Sequence, residues 1–277
     1  MDLMVQITIS QLAVIFNLRR SIFYHRLTKP ADDELLKDKI KAVMKANPAY
    51  GHKRVALELN LNKKRILRVM NEFNLHPQRV RQRLWPDKPK DKAKPTTKYQ
   101  NLIETVKPIR PNHIWVSDFT YLRFNSGFVY LSTIVDRYTR EVVGWNISRY
   151  HNQALVIGAL TQALKQTGFQ LPEYLHSDQG GEYDSQAYTK LAESLGIKIS
   201  MSRKASPWEN PHQESYYSHF KLDLDNPNRF ETLGKLIEAV YQTINYYNQR
   251  RIQSVLKMPP VKFRQQYYEQ LTVKNEC

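Results

Sequence analysis

The most restrictive feature of this sequence is a near-continuous apolar run at residues 128–135. A strand without polar alternation has to be covered on both faces, so the run predicts the buried centre of a layered α/β fold. The preceding segment, 113–124, is rich in β-branched and aromatic residues, and Gly127 lies between the two as in a hairpin. Further strands are predicted at 141–147, 174–176 and 197–201, and helices at 152–166, 185–194 and 209–221. The order β-β-β-α-β-α-β-α predicts a five-stranded mixed sheet flanked by helices.

The N-terminal region has a helical pattern instead. Residues 10–24 contain two short apolar segments separated by a polar break at Asn17, and Ser10 is the expected N-cap of the first. Asp32 or Asp33 is expected to cap the next helix. Two short helical segments separated by a polar break are typical of helix-turn-helix proteins, so an all-α helix-turn-helix region is predicted to precede the sheet.

The last predicted helix of that region, 62–73, follows a shorter one at 53–59. Its inward face is predicted to hold Ile66, Leu67, Val69 and Met70. Its N-terminal half carries Lys63, Lys64, Arg65 and Arg68. A basic first half is typical of a recognition helix in a DNA groove, and a solvated helix face with incidental charge explains the pattern equally well.

The positive charge is concentrated at the N-terminal end of the chain. The whole chain has a formal net charge of +16, and residues 1–98 contribute +13 of it, from 22 Lys and Arg against 9 Asp and Glu. A clustered positive field concentrates a polyanion and releases counterions from it. Nucleic acid is therefore the predicted partner, and acidic membrane is disfavoured because no basic amphipathic helix with an aromatic face stands out.

The domain boundary is predicted within the segment 76–98, where prolines interrupt a run of basic residues, because self-repelling charge and proline favour an extended tether. Arg79, Arg81 and Arg83 in this stretch are expected to follow a phosphate backbone, unless the segment is merely a spacer. The predicted organisation is a helical DNA-binding region at 1–84, a basic linker at 85–110, a catalytic core at 111–228 and a C-terminal helical segment at 229–277.

Several classes of protein are excluded or disfavoured. Cys277 is the only cysteine, so the chain has no internal disulfide and no cysteine-based zinc site, and its histidines lack ligand spacing. The start of the chain does not resemble a signal peptide, and the longest strongly apolar run, near 155–160, is far shorter than the roughly 20 residues that span a bilayer. We therefore expect a soluble, cytoplasmic protein without a membrane partner.

Three carboxylates are the candidate catalytic residues. Asp118 lies inside the first predicted strand, Asp178 directly follows the fourth, and Glu214 lies on the helix after them. Three such groups brought together repel one another unless cations lie between them, and oxygen ligands alone suit Mg²⁺ or Mn²⁺. Two ions about 3.5–4 Å apart can drive an in-line phosphoryl transfer, with Asp118 as the bridging ligand. Each acid taken alone is more often a salt-bridge or cap residue; Glu182 and Asp184 are expected on the loop surface.

The same residues lie in motifs that resemble a known family. The segments WVSDFTYL, HSDQGGEY and MSRKASPWENPHQESYYSHFK look like the three signatures of DDE transposases, which here start at Trp115, His176 and Met201. The resemblance is strongest to bacterial insertion-sequence transposases of the downstream-frame type, whose core is similar to retroviral integrase. YGHKRV at 50–55 and the segment 247–264 resemble that group's N- and C-terminal motifs.

The resemblance implies an RNase H-like core, two Mg²⁺ ions with Mn²⁺ as an alternative, and cleavage and strand transfer at the ends of an element. It implies double-stranded DNA as partner (terminal inverted repeats and target), a homo-oligomer on DNA, an upstream-frame partner or fusion, and nucleoid association when bound. Lys221, at i+7 from Glu214, matches a lysine that contacts DNA ends, whereas Ser218 replaces the other one. Glu209 stands where the family usually has Asp, which makes it a minor rival to Glu214 for the metal.

Two further basic residues, Arg203 and Lys204, precede the loop before the Glu214 helix and are expected either to touch phosphates or to form a solvated turn. Two alternatives to a transposase stay open from the sequence. One is an inactive DNA-binding regulator or transposition inhibitor derived from such an enzyme. The other is an RNase H-like nuclease that cuts RNA–DNA hybrids.

Overall fold

The computed structural model describes residues 8–21, 29–78, 98–203 and 211–275. Two compact units are present, 1–78 and 79–277, and each is described by itself. Within the described residues, no helix is both long and apolar enough to cross a membrane. Of the DNA-contact residues predicted above, Arg79, Arg81, Arg83 and Lys204 lie outside the described ranges, as does Glu209.

The first unit is helical, as predicted. Its elements are α1 (Ile9–Ile15), α2 (Lys29–Ala46), α3 (His52–Glu58) and α4 (Lys63–Glu72). The turn between α3 and α4 is short because Asn60 adopts a positive φ of 50° and Asn62 caps α4 by accepting a bond from the Lys64 backbone N–H. A short turn therefore joins these two helices, and the predicted helix-turn-helix pattern at 10–24 lies partly outside the described ranges.

Three local predictions in this unit are wrong. Thr8, rather than Ser10, caps α1, and it does so in a capping box with Gln11. Neither Asp32 nor Asp33 caps α2, because that helix begins earlier, at Lys29, and Asp33 is buried beside α4. The predicted inward face of α4 holds for Ile66, Val69 and Met70, but Leu67 is exposed.

The second unit is built on a mixed five-stranded sheet, as predicted. The strands are β1 (Ile114–Phe124), β2 (Gly127–Asp136), β3 (Val142–Ser148), β4 (Tyr174–Ser177) and β5 (Lys198–Met201). Their order across the sheet is β3-β2-β1-β4-β5. β1 pairs antiparallel with β2 and parallel with β4, so β1 is the central strand.

Helices cover both faces of the sheet. They are α5 (Gln153–Gln166), α6 (Gln186–Ser194), α7 (Pro211–Leu224), α8 (Leu233–Gln249) and α9 (Pro260–Asn275). One core packs α5 and α6 against residues such as Trp115, and α5 approaches so closely that a Cβ at Gly144 would lie 2.5 Å from the Ala159 carbonyl oxygen. The other core packs α7 and α8 against residues such as Leu122 and Leu131. The central strand is thus held rigidly from both sides.

The described part of the predicted linker, residues 98–110, lies against the sheet. Ile103 is buried with Ile114 and Val116, and the Leu102 backbone N–H donates to Ser200 Oγ at 2.9 Å. Asp136, at the end of β2, is a buried turn residue that accepts bonds from the Asn112, Tyr138 and Thr139 backbone N–H groups.

Candidate active site

The strand register aligns two of the three predicted carboxylates. In the parallel pair of β1 and β4, Val116 lies opposite His176. Two residues further along each strand stand Asp118 and Asp178, the latter immediately after β4 ends at Ser177. Because neighbouring strands run about 4.8 Å apart and side chains alternate between faces, these carboxylates lie side by side at the carboxyl end of β4.

The surroundings of the pair are polar and hydrogen-bonded. Asp118 Oδ1 accepts the Phe119 backbone N–H at 2.8 Å, and Asp178 Oδ1 accepts that of Gly180 at 3.0 Å. The phenol of Tyr183 is fully buried and accepts a bond from Ser117 Oγ at 3.2 Å. Burial raises the pKa of Tyr183 well above its usual value, and the negative charges of Asp118 and Asp178 raise it further. Tyr183 therefore lies near both carboxylates and stays a neutral phenol.

Helix α7, which carries Glu214, is anchored to β1 by two side chains. The buried Gln213 donates through Nε2 to the backbone oxygens of Val116 at 2.7 Å and Thr133 at 3.2 Å. Tyr217 OH donates at 2.7 Å to the backbone oxygen of Asp118. The pKa of Tyr217 is raised mainly by burial and then by the charge of Asp118. Glu214, between these anchors in sequence, is thus carried on a helix fixed to the strand of Asp118.

Glu214 itself is exposed in the first turn of α7. Within the four described ranges, no three His, Cys, Asp or Glu side chains lie close enough together to hold a metal ion. The structure therefore aligns Asp118 with Asp178 and attaches the Glu214 helix beside them, but it does not bring all three carboxylates to metal-ligand distance. The donor set still suits a hard cation, because every predicted ligand is a carboxylate oxygen.

The predicted DNA contacts have different surroundings. Lys63, Lys64 and Arg65 are exposed in the first turn of α4. Arg68, by contrast, forms two bonds of 2.8 Å with the buried carboxylate of Asp33. A third bond, of 3.0 Å, joins it to Glu72, so its guanidinium also has a structural role within the unit.

Two predicted contacts lie in the second unit. Arg203 is an exposed residue that forms an ion pair with Glu104. Lys221 is half-buried on α7, two turns after Glu214.

The structure corrects one prediction at the site and adds residues that the sequence did not single out. Glu182 is not on the loop surface: its side chain is only 9% exposed and pairs with His151 at 3.0 Å. Gln213 was also not predicted as a site residue, because nothing in the sequence indicates the role of this uncharged side chain beside Glu214. Tyr217 is buried, and it was not singled out as a site residue from the sequence either.

The chain is similar to known proteins over most of its length. A family model described as integrase core domain matches residues 108–207, and a second model of that description matches 195–260. The chain is 31% identical over 244 residues to the transposase for insertion sequence element IS904 of Lactococcus lactis, covering 84% of this chain and 94% of that one. It is also 31% identical over 268 residues to the putative transposase InsK for IS150 of Escherichia coli, covering 90% of each.

Among solved structures, the chain is similar to one described as a simian T-cell lymphotropic virus intasome in complex with the PP2A regulatory subunit B56 gamma. The TM-score is 0.51 at 17% identity, and the match covers 82% of this chain and 74% of that one. At this level of identity the similarity shows the fold, and it confirms the predicted RNase H-like, integrase-type core.

Proposed function

This chain belongs to the family of insertion-sequence transposases with an integrase core domain, and we propose that Asp118, Asp178 and Glu214 are the carboxylates with which it cleaves and joins DNA. The observation that carries this assignment is the parallel register of β1 and β4, which sets Asp118 beside Asp178. Two acids at equivalent positions of neighbouring strands repel each other. Such an arrangement is stable when a cation lies between them, as the proposed chemistry requires.

In this proposal the carboxylates of Asp118, Asp178 and Glu214 would hold two divalent ions, Mg²⁺ or Mn²⁺. When bound, such ions favour the deprotonated attacking oxygen and neutralise the leaving one. The protein's own part is to position the oxygens. The Gly180 and Phe119 backbone N–H groups orient the two Asp side chains, and Tyr217 keeps α7 against β1.

The reaction proposed for this site has two steps. Water first attacks the phosphodiester at the end of the element, which breaks the P–O3′ bond and leaves a 3′-hydroxyl. That hydroxyl then attacks a phosphodiester of the target, joins the element to it and releases a target 3′-hydroxyl. Lys221 is proposed to contact the DNA end, because at i+7 it shares a helical face with Glu214.

The proposed partner is double-stranded DNA, comprising the terminal inverted repeats of the element and the target. Lys63, Lys64 and Arg65 support this role, since they are exposed at the start of α4, the helix predicted to enter a DNA groove. Two element ends have to be held together, so we propose a homo-oligomer on DNA. An upstream-frame partner or fusion, and association with the nucleoid when bound, belong to the same proposal.

Removal of divalent metal is expected to abolish the reaction. The experiment incubates the purified chain with labelled duplex carrying the terminal repeat of its element, with Mg²⁺, with Mn²⁺ or with EDTA. We expect cleavage and joining with either ion, and at least about a hundredfold less product with EDTA, because the transition-state charge then lacks its stabilisation. Metal-independent binding without nicking would indicate an inactive regulator, and cleavage confined to an RNA–DNA hybrid would indicate a nuclease.

A further inference from the structure

We propose that His151 and Glu182 form a positioning pair that holds the loop after β4, residues 178–184, in the shape that binds metal. The inference rests on the proposed function and adds two residues to it. The motifs that identify the family centre on the three acids, whereas this pair comes from contacts that link distant parts of the chain.

His151 lies between β3 and α5, and its ring is fixed by two aromatic neighbours. The ring centroid of Phe119 is 4.2 Å away, and that of Tyr130 is 5.1 Å away in a stacked arrangement. Phe119 is also the residue after Asp118. His151 Nε2 lies 3.0 Å from Glu182 Oε1. Because a carboxylate oxygen accepts, the imidazole Nε2 is the donor of this bond.

Glu182 in turn lies against the backbone next to Asp178. A Cβ added at Gly180 would overlap Glu182 Oε1 and would lie 3.0 Å from Asp178 Oδ1. The two carboxylates therefore flank the same glycine. The Gly180 backbone N–H donates to Asp178 Oδ1 at 3.0 Å, so any movement of Gly180 moves the hydrogen bond that orients Asp178.

The rest of the loop is closed on itself. The Tyr183 and Asp184 backbone N–H groups both donate to the Gly180 carbonyl oxygen at 3.0 Å, and Ser185 Oγ donates to the Glu182 carbonyl oxygen at 2.7 Å. Ser185 also caps α6. These hydrogen bonds hold the loop backbone, and the bond to His151 Nε2 orients the Glu182 side chain.

The bond to His151 opposes the repulsion between the carboxylates of Glu182 and Asp178. Two carboxylates so close repel each other, and an unrestrained Glu182 would turn to solvent or displace Asp178. Partners that orient the ligands of a metal are worth about 10–100-fold in metal affinity or activity when removed. By binding Glu182 from the β3–α5 connection, His151 keeps the loop closed and Asp178 oriented towards Asp118.

The test measures Mn²⁺ affinity of the full chain without DNA, by calorimetry or electron paramagnetic resonance, together with Mn²⁺-dependent cleavage. The variants are H151A, E182A and E182Q, with D178N as the ligand-loss reference. H113A is the control at a second His–Glu pair, since His113 Nε2 lies 3.3 Å from Glu173 just before the start of β1 and its side chain is 7% exposed. Thermal unfolding of each variant confirms that it is folded at the temperature of measurement.

We expect H151A and E182A to raise the Mn²⁺ dissociation constant about tenfold and to lower cleavage at limiting Mn²⁺, with partial recovery at high Mn²⁺. E182Q, which can still accept the His151 bond, should stay within about threefold of the wild type. H113A should leave the Mn²⁺ affinity unchanged even where it lowers the Tm.

Two results would overturn the inference while leaving the proposed active site intact: wild-type affinity in both H151A and E182A, or E182Q as weak as D178N, which would make Glu182 a ligand. If D178N bound Mn²⁺ as the wild type does, the proposed function and the inference would both be lost.

Discussion

Replacement of Asp178 by Asn is expected to abolish cleavage and joining of element-end DNA, with a rate at least about a thousandfold below the wild type. Asparagine retains the size of the side chain and an oxygen that can accept the Gly180 N–H, so the loop should stay folded. It lacks the negative charge that a divalent ion requires. A thousandfold loss corresponds to about 4 kcal/mol of transition-state stabilisation. Asp118→Asn should behave in the same way, since the two acids are aligned in register.

The matched control is Asp184→Asn, which makes the same chemical change at an exposed position of the same loop. It should retain activity within about threefold of the wild type, because surface substitutions away from the site change little. Rates are measured as the initial formation of cleaved and joined product from labelled duplex in Mg²⁺. An Asp178→Asn enzyme that still cleaves and joins would remove Asp178 from the mechanism.

Replacement of Arg251 by Met is expected to cause the largest loss of stability. The Arg251 side chain is fully buried and pairs with Asp223 on α7, whose side chain is 10% exposed. Removing one partner of a buried pair leaves the other charge uncompensated, at a cost of about 3–5 kcal/mol. For a unit of this size the Tm should fall by about 10 °C. Urea unfolding and calorimetry measure the two quantities.

Two further variants separate the loss of the pair from a general effect. Arg250→Met changes the neighbouring, exposed arginine and should alter the free energy of unfolding by less than about 0.5 kcal/mol. The double variant Arg251→Met/Asp223→Leu removes both charges, so it should be more stable than Arg251→Met alone. Equal stability of the single and double variants would show that the uncompensated Asp223 is not the cause.

The sheet could be predicted from the sequence because its strands carry strong local signals. The apolar run at 128–135 is short for a helix, and the segment before it is rich in the β-branched and aromatic residues that favour strands. Helix starts in the first unit were predicted less well. Asp33 has the chemistry of an N-cap, but it pairs with Arg68 on another helix, and its own helix begins before it. Long-range pairing of this kind is not visible in a local pattern.

The candidate site could likewise be predicted only in part from the sequence. Asp118, Asp178 and Glu214 could be singled out because they lie at strand and helix positions that can converge and in motifs that resemble those of DDE transposases. The residues that hold them could not, since Gln213, Tyr217 and His151 act through strands and loops far away in sequence. Glu182 was misplaced on the surface because a charged residue in a glycine-rich loop is usually solvated, and its His151 partner lies 31 residues earlier.

The most direct test of the account is the anomalous scattering of Mn²⁺ in crystals of the chain bound to its element-end DNA. We expect manganese density between the carboxylates of Asp118 and Asp178, with Glu214 completing the ligands at about 2.2 Å, a hard-cation distance. Manganese bound elsewhere, or ligated by Glu209 while Glu214 faces solvent, would contradict it.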